Sequence, residues 1–179
     1  MTESITPNDA NQIFVAYLKR AETSFLTFIA GLIVPSGRGP KLINDVVAEH
    51  QMECFESMAP SLEALRLGVM PPCRRFWIER TKKASKDTDL AACLIWLLAF
   101  PNRPLFIQVA ASDREQAGIV RRRIEDYLYY NPWLAERIEL QAWKLQSKNK
   151  LVKVEIIASD IAGSHGETPD MLICNELSH

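Results

Sequence analysis

The stretch Arg75-Phe76-Trp77-Ile78-Glu79-Arg80-Thr81-Lys82-Lys83-Ala84-Ser85-Lys86-Asp87-Thr88-Asp89 decides the fold. It runs from a short β-rich segment, residues 75–79, into a polar and basic loop, residues 80–89. Leu90, Cys93, Leu94, Leu97 and Leu98 then mark one face of a helix. A strand that enters a polar loop opening a helix is the geometry of an anion site. Backbone N–H groups at the helix start point at the ligand, and the helix dipole favours negative charge. Lys82, Lys83 and Lys86 concentrate positive charge where a polyphosphate would lie.

Upstream, Phe14, Tyr17, Leu18, Ala21, Phe25, Phe28, Ile29 and Leu32 recur at helical spacing and predict one helix. Pro7 and Asn8-Asp9 start it, and the turn cluster Pro35-Ser36-Gly37-Arg38-Gly39-Pro40 ends it. A second helix carries Val47, Met52, Phe55, Ala59 and Leu62 and breaks at residues 68–73, with Pro71-Pro72. Downstream, residues 104–111 read as a buried strand. Asp113 caps a helix whose inner face holds Ala117, Val120, Ile124 and Leu128. Residues 138–145 and 151–158 are extended runs around the polar turn 146–150, a β-hairpin pattern. Met171-Leu172-Ile173-Cys174 is apolar without alternation, which predicts a central parallel strand buried on both faces. Alternating strands and helices imply an α/β layer architecture with right-handed crossovers.

The composition sets outer bounds. The chain has 179 residues, 47% hydrophobic and 24% charged, the profile of an ordinary globular domain rather than a disordered chain. A formal net charge of −1 excludes a globally basic nucleic-acid coat, though not a local basic groove. The apolar run at residues 25–34 is too short to span a bilayer and follows an acidic start, so neither a membrane span nor a signal peptide is expected. Cys54, Cys73, Cys93 and Cys174 form no C-x-x-C pair, which points to free thiols in a reducing cytosol.

Laid over the phosphate-loop pattern G-x-x-x-x-G-K-[ST], Arg80 takes the first glycine, Ser85 the second, Lys86 the lysine and Asp87 the Ser/Thr; only the lysine matches. In nucleoside triphosphatases of that class a later apolar strand ends in acidic residues, one for Mg²⁺ and the next for the attacking water. Met171-Leu172-Ile173-Cys174-Asn175-Glu176 has that form, with Asn175 in the metal-side position and Glu176 as the catalytic carboxylate. Asn175 offers a carbonyl oxygen but no charge.

In this order and spacing, the motifs resemble the N-terminal ATPase domain of phage terminase large subunits, over most of residues 45–179. Gln51, within Glu49-His50-Gln51-Met52-Glu53, resembles the glutamine that contacts adenine in that family. Trp77-Ile78-Glu79-Arg80 leads into a variant Walker A loop. Ala110-Ala111-Ser112-Asp113-Arg114-Glu115-Gln116-Ala117 resembles the stretch after the second core strand. Ser164-His165-Gly166-Glu167-Thr168-Pro169-Asp170 resembles the loop before Walker B, and Asn175-Glu176-Leu177-Ser178-His179 resembles Walker B itself.

The resemblance implies a P-loop NTPase fold of the ASCE type: a parallel-rich sheet flanked by helices, with residues 1–44 as an N-terminal helical extension and 45–179 as the ATPase core. It implies ATP and Mg²⁺ as cofactors. Gln51, Lys82, Lys83, Ala84, Ser85, Lys86, Asp87 and Thr88 would contact the nucleotide, and Asp87, Thr88 and Asn175 would face the metal. Lys86, Glu176 and Arg80 would be catalytic, with Arg80 stabilising charge during transfer. The implied function is a motor that drives double-stranded DNA into a procapsid, with the portal protein and small terminase subunit as partners. The motor would work in the host cytoplasm at the procapsid, as a homo-oligomeric ring, with no membrane; the segment alone would be a monomer of low activity. Family members continue into an RNase H-like nuclease, for which this chain, ending at His179, carries no site. The missing glycines, Asp87 and Asn175 also fit a nucleotide-binding assembly module without turnover. A helicase-like ATPase would share the same site.

Smaller features read more plainly. Arg121-Arg122-Arg123 fits a solvated helix face, and Trp133 fits packing. His165 and His179 have no partners at ligand spacing, so no metal other than Mg²⁺ is expected.

Overall fold

The computed structural model describes residues 6–81, 85–158 and 168–175. Helix α1, Pro7–Thr23, begins at a capping box. The Thr6 hydroxyl accepts from the Asp9 N–H, the Asp9 carboxylate accepts from the Thr6 N–H, and Pro7 occupies the first helical position. The expected single N-terminal helix is in fact two, because Ser24 leaves helical geometry at φ −131°, ψ 113°. It caps α2, Phe25–Ala30, by accepting from the Thr27 N–H, and Glu63 accepts from the Phe25 N–H. The break turns Phe25, Phe28 and Ile29 fully into the core.

A small ribbon follows, β1 (Ile33–Val34) antiparallel to β2 (Lys41–Leu42). Helix α3, Glu49–Leu67, stops where expected. Gly68 takes φ 75°, and the N–H groups of Gly68 and Val69 return to Leu65 and Ala64. Residues 75–79 are a correction. They form no regular element and join no sheet among the described residues, and Phe76 and Trp77 are exposed, Trp77 at 84%. β-propensity reports fit to a pleated, half-buried surface, and this segment has no neighbouring strand among the described residues.

Helix α4, Lys86–Ala99, is followed by β3 (Leu105–Ala111) and α5 (Arg114–Tyr130), which Asp113 caps as anticipated. Every residue of α4 from Ala91 to Ala99 is buried, not the one face that the leucine spacing indicates. Helices α2, α3 and α5 and the sheet strands β4, β5 and β6 all pack against it. Ala117, Val120 and Ile124 of α5 are buried and Leu128 is half-buried.

The remaining strands are β4 (Ile138–Leu140), β5 (Lys144–Ser147), β6 (Val152–Ala158) and β7 (Met171–Asn175). The order in the sheet is β4-β5-β6-β3-β7, with β6, β3 and β7 parallel and the other pairings antiparallel. The expected hairpin is therefore a three-stranded meander. Its first run doubles back at Gln141, whose N–H donates to Lys144 O at 2.8 Å. β7 departs from expectation too. It is parallel to β3 but lies at the edge of the described sheet, and Leu172 is 54% exposed. Thus the fold class is the anticipated one, a mixed α/β domain with a largely parallel sheet packed by helices. No helix among the described residues is long and apolar enough to cross a membrane.

Trp133 packs as expected, edge-on to Phe14, Tyr17 and Phe28. On the solvated face of α5, Arg121 pairs with Glu125 and Arg123 with Asp126. Asn131, 1% exposed, ties α5 to β1. Its Oδ1 accepts from Ile33 N–H at 2.8 Å, and its Nδ2 donates to Ile33 O and Tyr127 O. Asn131→Ala strands the N–H and C=O of Ile33, each worth about 1–3 kcal/mol when buried and unpaired, while Tyr127 O keeps the Asn131 N–H. Urea unfolding of that variant should show a loss of roughly 3 kcal/mol; a loss below ~1 kcal/mol would mean that the ribbon is re-solvated at no cost.

Candidate functional site

The first turn of α4 is where the structure gathers the chain's chemistry. Ser85 precedes the helix with φ 59° and ψ 17°, the left-handed region. A glycine adopts that conformation freely; an L-residue carries a cost of about 1–2 kcal/mol. Ser85 thus holds the backbone shape for which the second glycine of a phosphate loop is used. In that conformation its hydroxyl makes no cap bond to the helix. Thr6, Ser24 and Asp113, by contrast, all cap their helices with side-chain oxygens. Among the described residues, the opening N–H groups of α4 therefore lack the side-chain cap that α1, α2 and α5 have.

Asp87 and Asp89 occupy this turn and make different contacts. Asp87 Oδ1 accepts from Asn175 Nδ2 at 2.8 Å, linking the helix start to the C-terminal end of β7. Asn175 is 1% exposed and its Oδ1 is buried without a hydrogen-bond donor among the described residues. Asp89, 3% exposed, accepts from Gln51 Nε2 of α3 at 2.8 Å and pairs with Arg80 from the segment before the loop. Burial is the largest influence on Asp89 and lifts its carboxyl above the usual range, against the pull of Arg80 and Gln51. Burial also opposes the charge on Arg80, but the bond to Asp89 outweighs it and keeps the guanidinium firmly protonated. One turn on, Cys93 is buried, and burial first and Asp89 second push its thiol up.

The residues singled out in the sequence are thus partly brought together. Ser85, Lys86, Asp87 and Asn175 meet at the junction of α4 with β7. Thr88 lines a small cleft with Val34, Pro35, Arg123, Asp126 and Tyr127, on the side of α4 that faces β1 and α5. Successive helix residues point about 100° apart, so Thr88 and Asp87 serve different surroundings. Gln51 is engaged at both ends of its amide, since Oε1 also accepts from Ala48 N–H at 3.1 Å. Arg80 is held against Asp89. Lys82, Lys83, Ala84 and Glu176 lie outside the described residues, as does most of the stretch matched to the loop before Walker B.

Asp89 was not singled out by the sequence reading, although a signal was there. It stands four residues before Cys93 and seven before Trp96, on the helical stripe that is buried. An acid on an apolar stripe needs a cation or donors. Removing one member of a buried ion pair costs about 3–5 kcal/mol. Asp89→Ala should therefore lose ~3 kcal/mol or more in urea unfolding, and a near-neutral result would mean Arg80 finds solvent unaided. Ser85→Gly should gain about 1 kcal/mol in the same assay by relieving the left-handed backbone; a destabilised Ser85→Gly protein would mean the serine hydroxyl matters more than its φ.

Comparisons with protein-family models and with curated proteins find no match. Among solved structures, the fold is similar to that of the HK97 bacteriophage large terminase. The TM-score is 0.64 at 20% sequence identity, over 87% of this chain and 30% of that one. The likeness is one of fold: the chain reproduces the architecture of somewhat under a third of that protein's length.

Proposed function

We propose that this chain is the ATP-binding and hydrolysing domain of a terminase-type motor that drives double-stranded DNA into a procapsid. The observation that carries the reading is the Asn175–Asp87 hydrogen bond. It sets the end of an apolar parallel strand against the residue that follows Lys86 at the start of α4. That is the juxtaposition a phosphate-loop ATPase needs between its two motifs. The fold similarity to a phage large terminase supports the same reading.

In this reading Lys86 neutralises the β- and γ-phosphates, while Ser85 and the opening N–H groups of α4 cradle them. The buried Asn175 Oδ1, which lacks a donor, and the adjacent Asp87 carboxylate suit a magnesium ion with its water shell. Magnesium would supply charge neutralisation across the phosphate oxygens. Glu176, next after Asn175, polarises the attacking water. Arg80 is committed to Asp89 and Gln51 to Asp89 and Ala48. Their proposed roles, on the transferring phosphoryl group and on adenine, require Arg80 to change partner and Gln51 to use its second amide hydrogen. A neighbouring subunit in a ring, DNA in its channel, the portal and the small subunit complete the motor. An arginine from a neighbour raises such rates by ~10³–10⁵, so the lone domain should turn over slowly.

A nucleotide-binding module without turnover is favoured by one feature, the uncharged Asn175 where an acid is usual. Glu176→Gln separates the readings: unchanged residual hydrolysis in a clean preparation removes the ATPase assignment. Titration with a fluorescent ATP analogue tests the site itself. Lys86→Ala should weaken binding by about 100-fold, the loss of a charge-assisted contact of ~3 kcal/mol. Equal affinity in wild type and Lys86→Ala would remove the site.

A further inference from the structure

Asp87 and Asn175 each depart from the residue expected at their position, and the structure makes them each other's hydrogen-bond partner. In the usual arrangement a Ser/Thr hydroxyl on the helix donates to an aspartate at the strand end, and both face the metal. Here the donor is Asn175 on the strand and the acceptor is Asp87 on the helix. The direction of the bond is reversed, while the count is kept: one carboxylate and one neutral partner. Only one orientation of the Asn175 amide suits this contact, because its carbonyl oxygen would repel the carboxylate. With Nδ2 committed to Asp87, the Oδ1 branch points elsewhere, buried and without a donor among the described residues. A buried amide oxygen without a donor costs free energy unless something supplies a hydrogen.

Building on the proposed function, we infer that Asp87 and Asn175 are a compensating exchange in which the metal-facing carboxylate has moved from the strand to the helix. Asp87 then supplies the charge toward magnesium–nucleotide. Asn175 fixes that carboxylate through Nδ2 and leaves Oδ1 to accept from a water of the magnesium shell. Asn175 is a positioning residue here, not a weakened catalytic one. The two substitutions retain a one-carboxylate site instead of marking its decay.

The exchange is tested with wild type, Asp87→Ser, Asn175→Asp and the double variant Asp87→Ser/Asn175→Asp. Each is melted without ligand, and each is titrated with a fluorescent ATP analogue in magnesium and in chelator. Wild type should bind about tenfold or more tighter in magnesium. Asp87→Ser, with no carboxylate at the pair, should lose most of that gain, and the double variant should recover it. Asn175→Asp alone sets two carboxylates together in a buried site and should melt lowest of the four. If it does not fold, the other three still decide the matter through the magnesium gain. A double variant that stays as insensitive to magnesium as Asp87→Ser overturns the exchange while leaving the nucleotide site intact. Wild type that binds no analogue under either condition overturns the site, and the exchange with it.

Discussion

The burial of α4 on every side is the constraint on which the rest depends. From Ala91 to Ala99 the helix offers no polar face, and Leu94, Ile95, Trp96, Leu97 and Leu98 are fully enclosed. Each such side chain contributes roughly 1.5–3 kcal/mol relative to exposure. A helix of this kind needs partners all round. That is why α1 breaks at Ser24 and sends Phe25 against Phe55 and Trp96, and why the Trp96 indole donates to Ala21 O at 2.8 Å. The N-terminal helices complete the enclosure of the helix that opens the site.

Beyond the Trp96 indole, the polar side-chain contacts described for α4 come from its first turn. Hydrophobic packing is non-directional and would tolerate some sliding of an all-apolar cylinder. The first turn supplies the direction. Asp87 reaches β7, and Asp89 reaches both α3 through Gln51 and the preceding segment through Arg80. Two acids at a helix N-terminus also sit favourably in the dipole. In the proposed function a phosphate group would meet that same end, where the turn's own acids would have to be balanced against a ligand of like charge. Lys86 stands between Ser85 and Asp87 in the position to do this.

Much of this was legible from residue order, and the misses share a cause. Asp113 as a cap, Gly68 as a stop, the strand at 105–111 and the closeness of Asp87 to Asn175 follow from local chemistry and motif spacing. The split at Ser24, the all-round burial of α4 and the unpaired state of residues 75–79 depend on what lies opposite in space. Ser24 breaks a periodic run because Glu63, far along the chain, takes the Phe25 N–H. Trp77 is apolar yet 84% exposed because no strand lies beside its segment in the described fold. Periodicity reports which residues could be buried together, not whether a neighbour arrives to bury them.

β7 shows how an edge strand can still present a defined site. Among the described residues it pairs with β3 alone, over five residues, from Ile107↔Met171 to Ala111↔Asn175. Its two ends are fixed by side chains. At the start, Asp170 accepts from the Phe106 N–H at 2.9 Å and from Arg103 at 3.1 Å. At the end, Asn175 donates to Asp87. A one-residue slip along β3 would turn Ile173 and Asn175 to the opposite face and break both clamps. Register is therefore set by a carboxylate at each end of the strand. The side chain that aligns the strand is also the one that binds the first turn of α4, so the strand register and the start of that helix cannot vary independently at this position.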